Sequence, residues 1–296
     1  MFRQYSLPKI KGRYQHNINI GQLCWLKTNA IVNTVFTPSN IEDLQYFVRN
    51  KPTHLKISVI GAGSNLFIKA NQYNAVIIRL GSGFNFLTLQ NNCITAGSSC
   101  LDCNVSSFAL YNNLSNLEFY VGIPGTIGGA IRMNAGAYHI ETKDILIDAL
   151  AINLQSGKIK NFLNKEIGFR YRDNNIGPEW MFVQARFRGV KKEQCSILDT
   201  MRKIKNKRQN TQPIYSKTIG SVFKNPCGYK VWGVLNQCGL KGFIYGGAMF
   251  SVLHCNFIIN YNHAKRLDVA YLINIAQFRS KEIFNIDLKE EIKTLE

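Results

Sequence analysis

Short apolar runs, some with polar residues in alternation, predict strands over the first two thirds of the chain. Leu55–Ile60 is one such run and ends directly at Gly61, and Ala75–Leu80 is a second. Ile145–Asn153 returns to the same pattern, and Met181–Phe187 alternates between apolar and polar positions. The first third therefore reads as strands alternating with helices.

Three segments are predicted to be helices, and they cover residues 102–112, 191–209 and 264–284. In the second, the apolar residues recur at helical spacing, at Ile197, Met201 and Ile204. The third is amphipathic, and its apolar stripe is formed by Leu267, Tyr271, Ile275 and Phe278. Residues 122–136 are too rich in glycine to predict any regular element.

The composition is typical of a globular protein, and the net charge favours anionic partners. The chain has 296 residues, of which 46% are hydrophobic, and this length suits two or three linked domains. A net charge of +18 attracts anions such as nucleic acid or phosphorylated small molecules. The densest basic run, Arg202–Arg208, lies on the solvated face of the second predicted helix. No zinc finger or RNA-binding motif accompanies this charge, so charge alone does not predict a nucleic-acid-binding protein.

The amino terminus and the cysteines both favour a reduced, cytosolic protein. Met1–Lys9 holds no apolar core of a signal peptide, and no apolar stretch reaches the roughly 20 residues that span a bilayer. The eight cysteines are scattered, so we expect reduced and mostly buried thiols. Cys100 and Cys103 have the spacing of a redox motif, but no second pair completes a zinc site, and no metal is predicted.

Two glycine-rich segments predict backbone that approaches a ligand closely. The first, Gly61–Asn65, follows an apolar strand, and its glycines allow several backbone N–H groups to converge on a phosphate. Alone it fits a tight turn without a ligand equally well. The second, residues 122–138, holds almost only small side chains. Together the two segments suggest a large cofactor that carries a diphosphate.

These and further segments resemble the UDP-N-acetylenolpyruvoylglucosamine reductase family, the flavoenzymes of bacterial peptidoglycan synthesis. The likeness runs in the family's order from about Trp25 to the last residues, and the length resembles the family's compact form. The segments around Asn134 and Ser221 are the most specific. The matching segments are 61–66, 122–130, 133–137, 169–172, 220–226, 238–242 and 251–260.

The resemblance implies an α+β fold, with two subdomains that hold FAD non-covalently in the vanillyl-alcohol-oxidase manner and a carboxyl-terminal α+β substrate-binding domain. With boundaries near Leu80 and Gly189, the subdomains are expected at 1–80 and 81–189, and the substrate-binding domain at 190–296. It also implies a reaction in which NADPH reduces the flavin. The flavin then passes hydride to the enolpyruvyl group of a UDP-sugar, which gives UDP-N-acetylmuramate.

Three residues that the resemblance singles out suit this chemistry. Hydride addition to the enolpyruvyl ether leaves an enolate, and Arg172 is expected to stabilise it with parallel N–H donors. Ser221 is the expected proton donor to the α-carbon, since positioning can supply what its acidity lacks. Glu291 is the third residue, and a carboxyl there would need a raised pKa to donate a hydrogen bond. Glu290 is the adjacent alternative.

The other residues carried over from the family form a cofactor set and a substrate set. Tyr171, Lys224 and Asn225 are expected to bind the substrate, although Lys224 also suits a plain ion pair. The cofactor set consists of Gly61, Ala62, Gly63, Ser64, Asn65, Leu66, Gly122, Ile123, Pro124, Gly125, Thr126, Gly128, Gly129, Asn134, Ala135, Gly136 and Ala137.

Asn29 and Ala30 depart from the family's pattern, which has paired glycines there. Asparagine tolerates the left-handed backbone region and alanine does so at a cost, so we expect weaker retention of FAD.

Two other functions are alternatives to the reductase. Another FAD oxidoreductase of the same fold is disfavoured by the Ser221–Pro226 segment, and a basic nucleic-acid-binding protein rests on the charge alone. The expected partners are therefore the UDP-sugar and NADPH, with no obligate nucleic acid.

Overall fold

In a computed structural model of the chain, residues 6–296 are described, so Met1–Tyr5 of the amino-terminal segment discussed above lies outside them. The helices are α1 Ile41–Asn50, α2 Asp102–Tyr111, α3 Ile127–Arg132, α4 Thr142–Ile145, α5 Asn164–Ile167, α6 Gln194–Thr211, α7 Val231–Gln237 and α8 Arg266–Phe284. Single 3₁₀ turns lie at Ile20–Leu23, Ser82–Phe84 and Glu118–Gly122. Each helix in 6–296 is too short or too polar to span a bilayer.

The strands are mostly short, and several make only two-residue pairings. They are β1 Arg13–Asn19, β2 Ile31–Thr37, β3 Ile57–Val59, β4 Leu66–Ile68, β5 Gln72–Ile78, β6 Leu87–Gln90, β7 Cys93–Gly97, β8 Leu114–Ser115, β9 Gly136–Ala137, β10 Ile140–Glu141, β11 Leu146–Asn153, β12 Ile159–Leu163, β13 Trp180–Arg188, β14 Val190–Lys191, β15 Thr218–Ser221, β16 Ile244–Tyr245, β17 Ala248–Phe250, β18 Phe257–Asn260 and β19 Lys293–Leu295.

Three larger sheets organise these strands. One has the order β1-β2-β5-β3, in which β3 and β5 are parallel. The second is antiparallel, with the order β12-β11-β13-β7-β6. The third is also antiparallel, with the order β15-β18-β17-β16. In addition, β19 pairs in parallel with β4, which ties the end of the chain to the residues after the first glycine loop.

The chain divides into two compact units. Among the described residues, unit 1 comprises 6–16, Asn33–Ala62 and Asn74–Lys207, and unit 2 comprises Asn17–Val32, Gly63–Tyr73 and Arg208–Glu296. Unit 1 has one core under the five-stranded sheet and another around α1. Unit 2 has a single large core, in which one face of α8 packs with β4, β15, β17 and β18.

Most predicted elements are confirmed, and two expectations are wrong. Residues 122–136 were expected to hold no regular element, yet they contain α3, because Ile127, Ala130 and Ile131 between the glycines supply a buried face. In α8 most of the predicted apolar stripe faces outward, with Leu267 64% and Phe278 61% exposed, whereas Ile275 packs against the core of unit 2. The helix carries apolar residues on both sides, so its pattern does not decide which side is buried. The buried side is formed by Val269, Leu272, Ile273, Ala276 and Ser280.

Candidate active site

The expected site residues are distributed over both units. Unit 1 holds Gly61, Ala62, Gly122, Ile123, Pro124, Gly125, Thr126, Gly128, Gly129, Asn134, Ala135, Gly136, Ala137, Tyr171 and Arg172. Unit 2 holds Gly63, Ser64, Asn65, Leu66, Ser221, Lys224, Asn225 and Glu291.

In unit 1 the two glycine loops are in direct contact. A Cβ added to Gly61 would lie 2.6 Å from Thr126 Oγ1, far inside the normal contact distance. Thr126 is buried and immediately precedes α3, whose first N–H groups donate to the carbonyls of Cys100 and Ser98. Glycine at 61 is therefore required for the loops to approach each other, not only for a turn.

Two unpaired polar groups lie directly behind the second loop. Ser98 Oγ and both carboxyl oxygens of Asp102 are buried, with no hydrogen-bond partner among residues 6–296. A Cβ on Gly125 would lie 2.6 Å from Asp102 Oδ2, and one on Gly128 would lie 3.2 Å from Ser98 Cβ. Burial raises the pKa of the Asp102 carboxyl well above its usual range.

The two loops fit a cofactor that carries a diphosphate. Gly129 is exposed, and a Cβ there would meet only Thr126 Oγ1, at 3.6 Å, which leaves open space beside the backbone. The raised pKa of Asp102 favours the uncharged carboxyl, which repels phosphate groups less than a carboxylate would. The small side chains and the open backbone at Gly129 fit the diphosphate of FAD.

Asn134 is fully buried, and its side chain joins three segments of unit 1. Its Nδ2 donates to Glu141 Oε2 at 2.9 Å and to the Arg170 carbonyl at 3.0 Å. Its Oδ1 accepts from the Lys143 N–H at 3.1 Å. Its φ of 41° lies in the left-handed region, which asparagine tolerates better than most residues. This side chain therefore holds the shape of the loop.

Arg172 is fixed to the same segment. Nη2 donates to the Gly136 carbonyl at 2.9 Å, and Nη1 lies 3.4 Å from the Asn134 carbonyl and 3.3 Å from Glu141 Oε1. The guanidinium carbon lies 5.0 Å from the centre of the Tyr171 ring, within range of a cation–π contact. Tyr171 itself is 45% exposed. The arginine is thus held on several sides while the neighbouring aromatic ring faces outward.

In unit 2, Ser221 ends β15 and is partly buried. Gly220 before it has a φ of 79°, and a Cβ there would lie 3.1 Å from the Ser64 carbonyl oxygen. Ser221 therefore directly follows a point where the backbone approaches the first glycine loop closely, and glycine is needed for both reasons.

The residues that follow Ser221 are locked by Asn256. The Val222 N–H donates to the Asn256 carbonyl at 2.9 Å, and the Phe223 N–H donates to Asn256 Oδ1 at 3.0 Å. Asn256 Nδ2 returns a hydrogen bond to the Phe223 carbonyl at 2.9 Å. Asn256 is 3% exposed. These bonds fix the backbone immediately after Ser221.

Glu291 lies directly beside the Ser221 segment. Its N–H donates to the Val222 carbonyl at 2.8 Å, and its own carbonyl accepts from Asn65 Nδ2 at 3.3 Å. The Lys293 N–H then donates to the Asn65 carbonyl at 3.0 Å, at the start of β19. The end of the chain is docked, and residues of the first loop, the serine segment and the terminal glutamate segment form one hydrogen-bonded cluster.

The two substrate residues beside Ser221 differ in their surroundings. The Lys224 N–H donates to the Lys289 carbonyl at 2.9 Å, so its backbone is tied to the same terminal segment. Asn225 Oδ1 accepts from the Val231 N–H at 3.0 Å, at the start of α7. The adjacent alternative, Glu290, accepts from Thr294 Oγ1 at 3.5 Å within its own turn.

Asn29 and Ala30 do not occupy a backbone conformation that needs glycine. Neither is among the described non-glycine residues with positive φ. Asn29 Oδ1 accepts from Asn19 Nδ2 at 3.1 Å and from Gln22 Nε2 at 3.2 Å, and the Ala30 N–H donates to Asn19 Oδ1 at 3.2 Å. The conformational cost expected for alanine is therefore not incurred.

The sequence did not single out Glu141, Asn256 or Asp102. Glu141 lies 31 residues before Arg172, and Asn256 lies 33 residues after Phe223, so only the tertiary fold brings each pair together.

This fold and its glycine loops define an FAD-binding protein. Residues 32–162 match the family model described as an FAD binding domain. Residues 212–295 match the model described as the UDP-N-acetylenolpyruvoylglucosamine reductase C-terminal domain. The expected α+β class, an FAD-binding fold followed by a separate carboxyl-terminal domain, is confirmed.

Similar proteins define the family more narrowly. The UDP-N-acetylenolpyruvoylglucosamine reductases of Wolbachia sp. subsp. Brugia malayi and of Rickettsia prowazekii are each 40% identical to the chain, over 98% of both sequences. The crystal structure of UDP-N-acetylenolpyruvylglucosamine reductase from Thermus caldophilus superposes with a TM-score of 0.84 at 26% identity, over 97% of this chain and 100% of that one. The chain belongs to the UDP-N-acetylenolpyruvoylglucosamine reductase family.

Proposed function

We propose that this chain reduces the enolpyruvyl group of UDP-N-acetylglucosamine enolpyruvate to UDP-N-acetylmuramate in peptidoglycan synthesis, with non-covalent FAD and with NADPH as reductant. The observation that carries the proposal is the cluster in unit 2, where the Glu291 N–H bonds the Val222 carbonyl and the Asn65 side chain bonds the Glu291 carbonyl. Family membership over nearly the whole chain supports the same reaction.

Bound FAD would supply the hydride transfer from NADPH to the β-carbon of the enolpyruvyl group. The chain's part begins with holding the cofactor. The cofactor set described above supplies mostly backbone, which suits the diphosphate, and the contact between Gly61 and Thr126 keeps the two loops together. Asn134 supports the second loop from inside the protein.

Arg172 stabilises the enolate that follows hydride addition. A guanidinium stays charged at any working pH and binds a carboxylate with two parallel donors. Its bonds to the Gly136 carbonyl and to Glu141 fix its direction before the substrate arrives. Preorganised charge of this kind is a large part of transition-state stabilisation.

Ser221 donates the proton to the α-carbon, and Glu291 stabilises the enolate as a hydrogen-bond donor. A hydroxyl is a weak acid, but the developing carbanion is a strong base, so placement decides the rate. Tyr171, Lys224 and Asn225 bind the substrate, whose diphosphate and carboxylate suit a lysine. The segment after Ser221 is rigid because Asn256 holds it.

The proposal also covers the domain boundaries and the cellular location of the enzyme. The FAD subdomains would extend over 1–80 and 81–189, and the substrate-binding domain over 190–296. Since both the nucleotide sugar and NADPH are cytoplasmic metabolites, we place the enzyme in the cytoplasm. The net charge of +18 serves these anionic substrates, without an obligate nucleic-acid partner.

The absorbance spectrum of the purified protein tests the cofactor, and NADPH consumption tests the reaction. We expect a flavin spectrum, and NADPH oxidation that depends on the enolpyruvyl UDP-sugar and ends at one equivalent of it. A colourless protein that does not take up added FAD would refute the flavoenzyme proposal. Flavin with no response to the enolpyruvyl UDP-sugar would instead favour another FAD oxidoreductase of the same fold.

A further inference from the structure

A cavity in unit 1 is lined by none of the residues assigned above to FAD or to the enolpyruvyl sugar. It has a volume of about 330 Å³, roughly ten times the 30 Å³ that a water molecule occupies in the liquid. It lies between α6 and the turn after β8, next to Tyr138. Cavities of this size accept small organic ligands rather than a single ion.

Three lysines on two separate elements line this cavity. Lys203 and Lys207 come from the basic run of α6, one helical turn apart, and Lys192 comes from the segment before α6. Two residues of the basic run therefore line a cavity and do not only form the solvent-exposed face of α6. Glu118 is the one carboxylate in the lining, and it accepts the Ser115 hydroxyl at 2.7 Å. Positive charge dominates the lining.

The walls of the cavity are defined by fixed contacts. The Tyr138 hydroxyl donates to the Ile204 carbonyl at 3.2 Å, and Lys207 Nζ lies 5.5 Å from the centre of the Tyr138 ring. Ile140 and Ile204 add apolar surface, while Thr200 adds a hydroxyl beside Lys203. A lining that combines ammonium groups, hydroxyls and apolar surface matches a ligand with a phosphate at one end and a ring at the other.

We propose that this cavity binds a phosphorylated small molecule of nucleotide size, with Lys192, Lys203 and Lys207 on its phosphate. The lysines act as point charges with rotatable donors, which suits a phosphate that is approached from several directions. Because Tyr138 directly follows the Gly136–Ala137 part of the cofactor set, an occupant would contact the residue next to that segment.

Isothermal titration of the FAD-loaded protein with adenosine 5′-monophosphate tests the proposal. Lys203→Gln and Lys207→Gln should each weaken binding at least fivefold, with an unchanged flavin spectrum. Lys205→Gln is the matched control, because Lys205 is an exposed lysine of the same helix outside the lining, and it should bind as the unchanged chain does. Equal losses in all three variants would overturn the proposal, since they would show attraction by overall charge.

Two further arms locate and define the ligand. Adenosine without phosphate should bind at least tenfold more weakly than the monophosphate, and equal binding would overturn the role of the lysines. Inorganic phosphate should also bind more weakly, and equal affinity would overturn the nucleotide-sized ligand. In lysine acetylation followed by mass spectrometry, the monophosphate should protect Lys203 and Lys207 but not Lys205. Lack of protection at all three positions would place the binding elsewhere and refute the site.

Discussion

Arg172 Nη1 lies 3.3 Å from Glu141 Oε1, and each side chain of this pair is only 20% exposed. The second oxygen of Glu141 accepts from Asn134 Nδ2 at 2.9 Å. The glutamate therefore connects the proposed enolate-binding arginine to the loop proposed to hold FAD. A catalytic cation that is anchored in this way needs little reorganisation when negative charge develops.

Glu141→Gln should lower kcat about tenfold while flavin content stays unchanged. The amide keeps the size of the side chain but removes the charge that orients Arg172, and one such charged hydrogen bond contributes about 1.5 to 3 kcal/mol. Steady-state kinetics and the flavin spectrum of the same preparation check this. Glu166→Gln is the matched control, since Glu166 caps α5 and pairs with Lys160. An unchanged kcat in Glu141→Gln would contradict the anchoring role.

Gly61→Ala should weaken FAD binding about tenfold, because the new methyl group would lie 2.6 Å from Thr126 Oγ1. Overpacking of this kind costs about 1 to 3 kcal/mol, and threonine, being β-branched, has little freedom to turn away. The double variant Gly61→Ala, Thr126→Ala should bind FAD more tightly than Gly61→Ala alone, since the clash is removed. Fluorescence titration of the apoprotein with FAD measures both. Additive losses would show that the two loops are not coupled.

Asn256→Ala should destabilise unit 2 by about 2 to 4 kcal/mol, because it leaves the buried N–H and carbonyl of Phe223 without their side-chain partners. Activity should fall further than the folded fraction does, since the backbone after Ser221 loses its support. Denaturant unfolding and kcat per bound flavin are the two readouts. Asn262→Ala, at an exposed asparagine, should change stability by less than about 0.5 kcal/mol. Equal behaviour of the two variants would be inconsistent with this role.

Asp102→Asn should stabilise the protein increasingly as pH rises above about 4, the ordinary pKa of an unfolded aspartate. Burial raises the pKa of Asp102 in the folded protein. Its stabilising contribution is therefore complete below about pH 4 and is lost as pH rises toward the folded pKa. Asparagine stays neutral and does not incur this loss. Thermal unfolding from pH 4 to 8 measures the difference.

Asp148→Asn is the control of opposite sign. The hydrogen bond from Arg186 lowers the pKa of Asp148, so its contribution is present above about pH 4 and is lost as pH falls. This variant should be less stable than the unchanged chain at pH 7, and the difference should shrink in acid. Parallel pH curves for Asp102→Asn and the unchanged chain would contradict a raised pKa of the buried Asp102 carboxyl.

Short motifs in the local sequence predicted several residues of the proposed site. Gly220 and Ser221 stand together in one such motif, and Gly220 has a positive φ of 79°. Glu291 lies two residues before β19, and the pairing of β19 with β4 docks the segment around it. Periodicity also located α6, whose Ile197, Met201 and Ile204 are buried as expected.

The rest depended on tertiary contacts that sequence spacing does not encode. Glu141 pairs with Arg172 and Asn256 pairs with Phe223 across more than 30 residues. The outward stripe of α8 was mistaken for its core face because Tyr271 and its neighbours are apolar too. Tyr271 instead stacks on Tyr245, with ring centres 3.7 Å apart. The helix α3 was missed since glycine content obscured its three buried residues.

Separate measurement of the two half-reactions in Ser221→Ala tests the central proposal most directly. Reduction of the bound flavin by NADPH should proceed at the unchanged rate, because no proton from Ser221 is needed there. Reoxidation of the reduced flavin by the enolpyruvyl UDP-sugar should slow by about 10² to 10⁴, the range for loss of a general acid. Unchanged reoxidation in the variant would contradict the assignment of Ser221 as the proton donor.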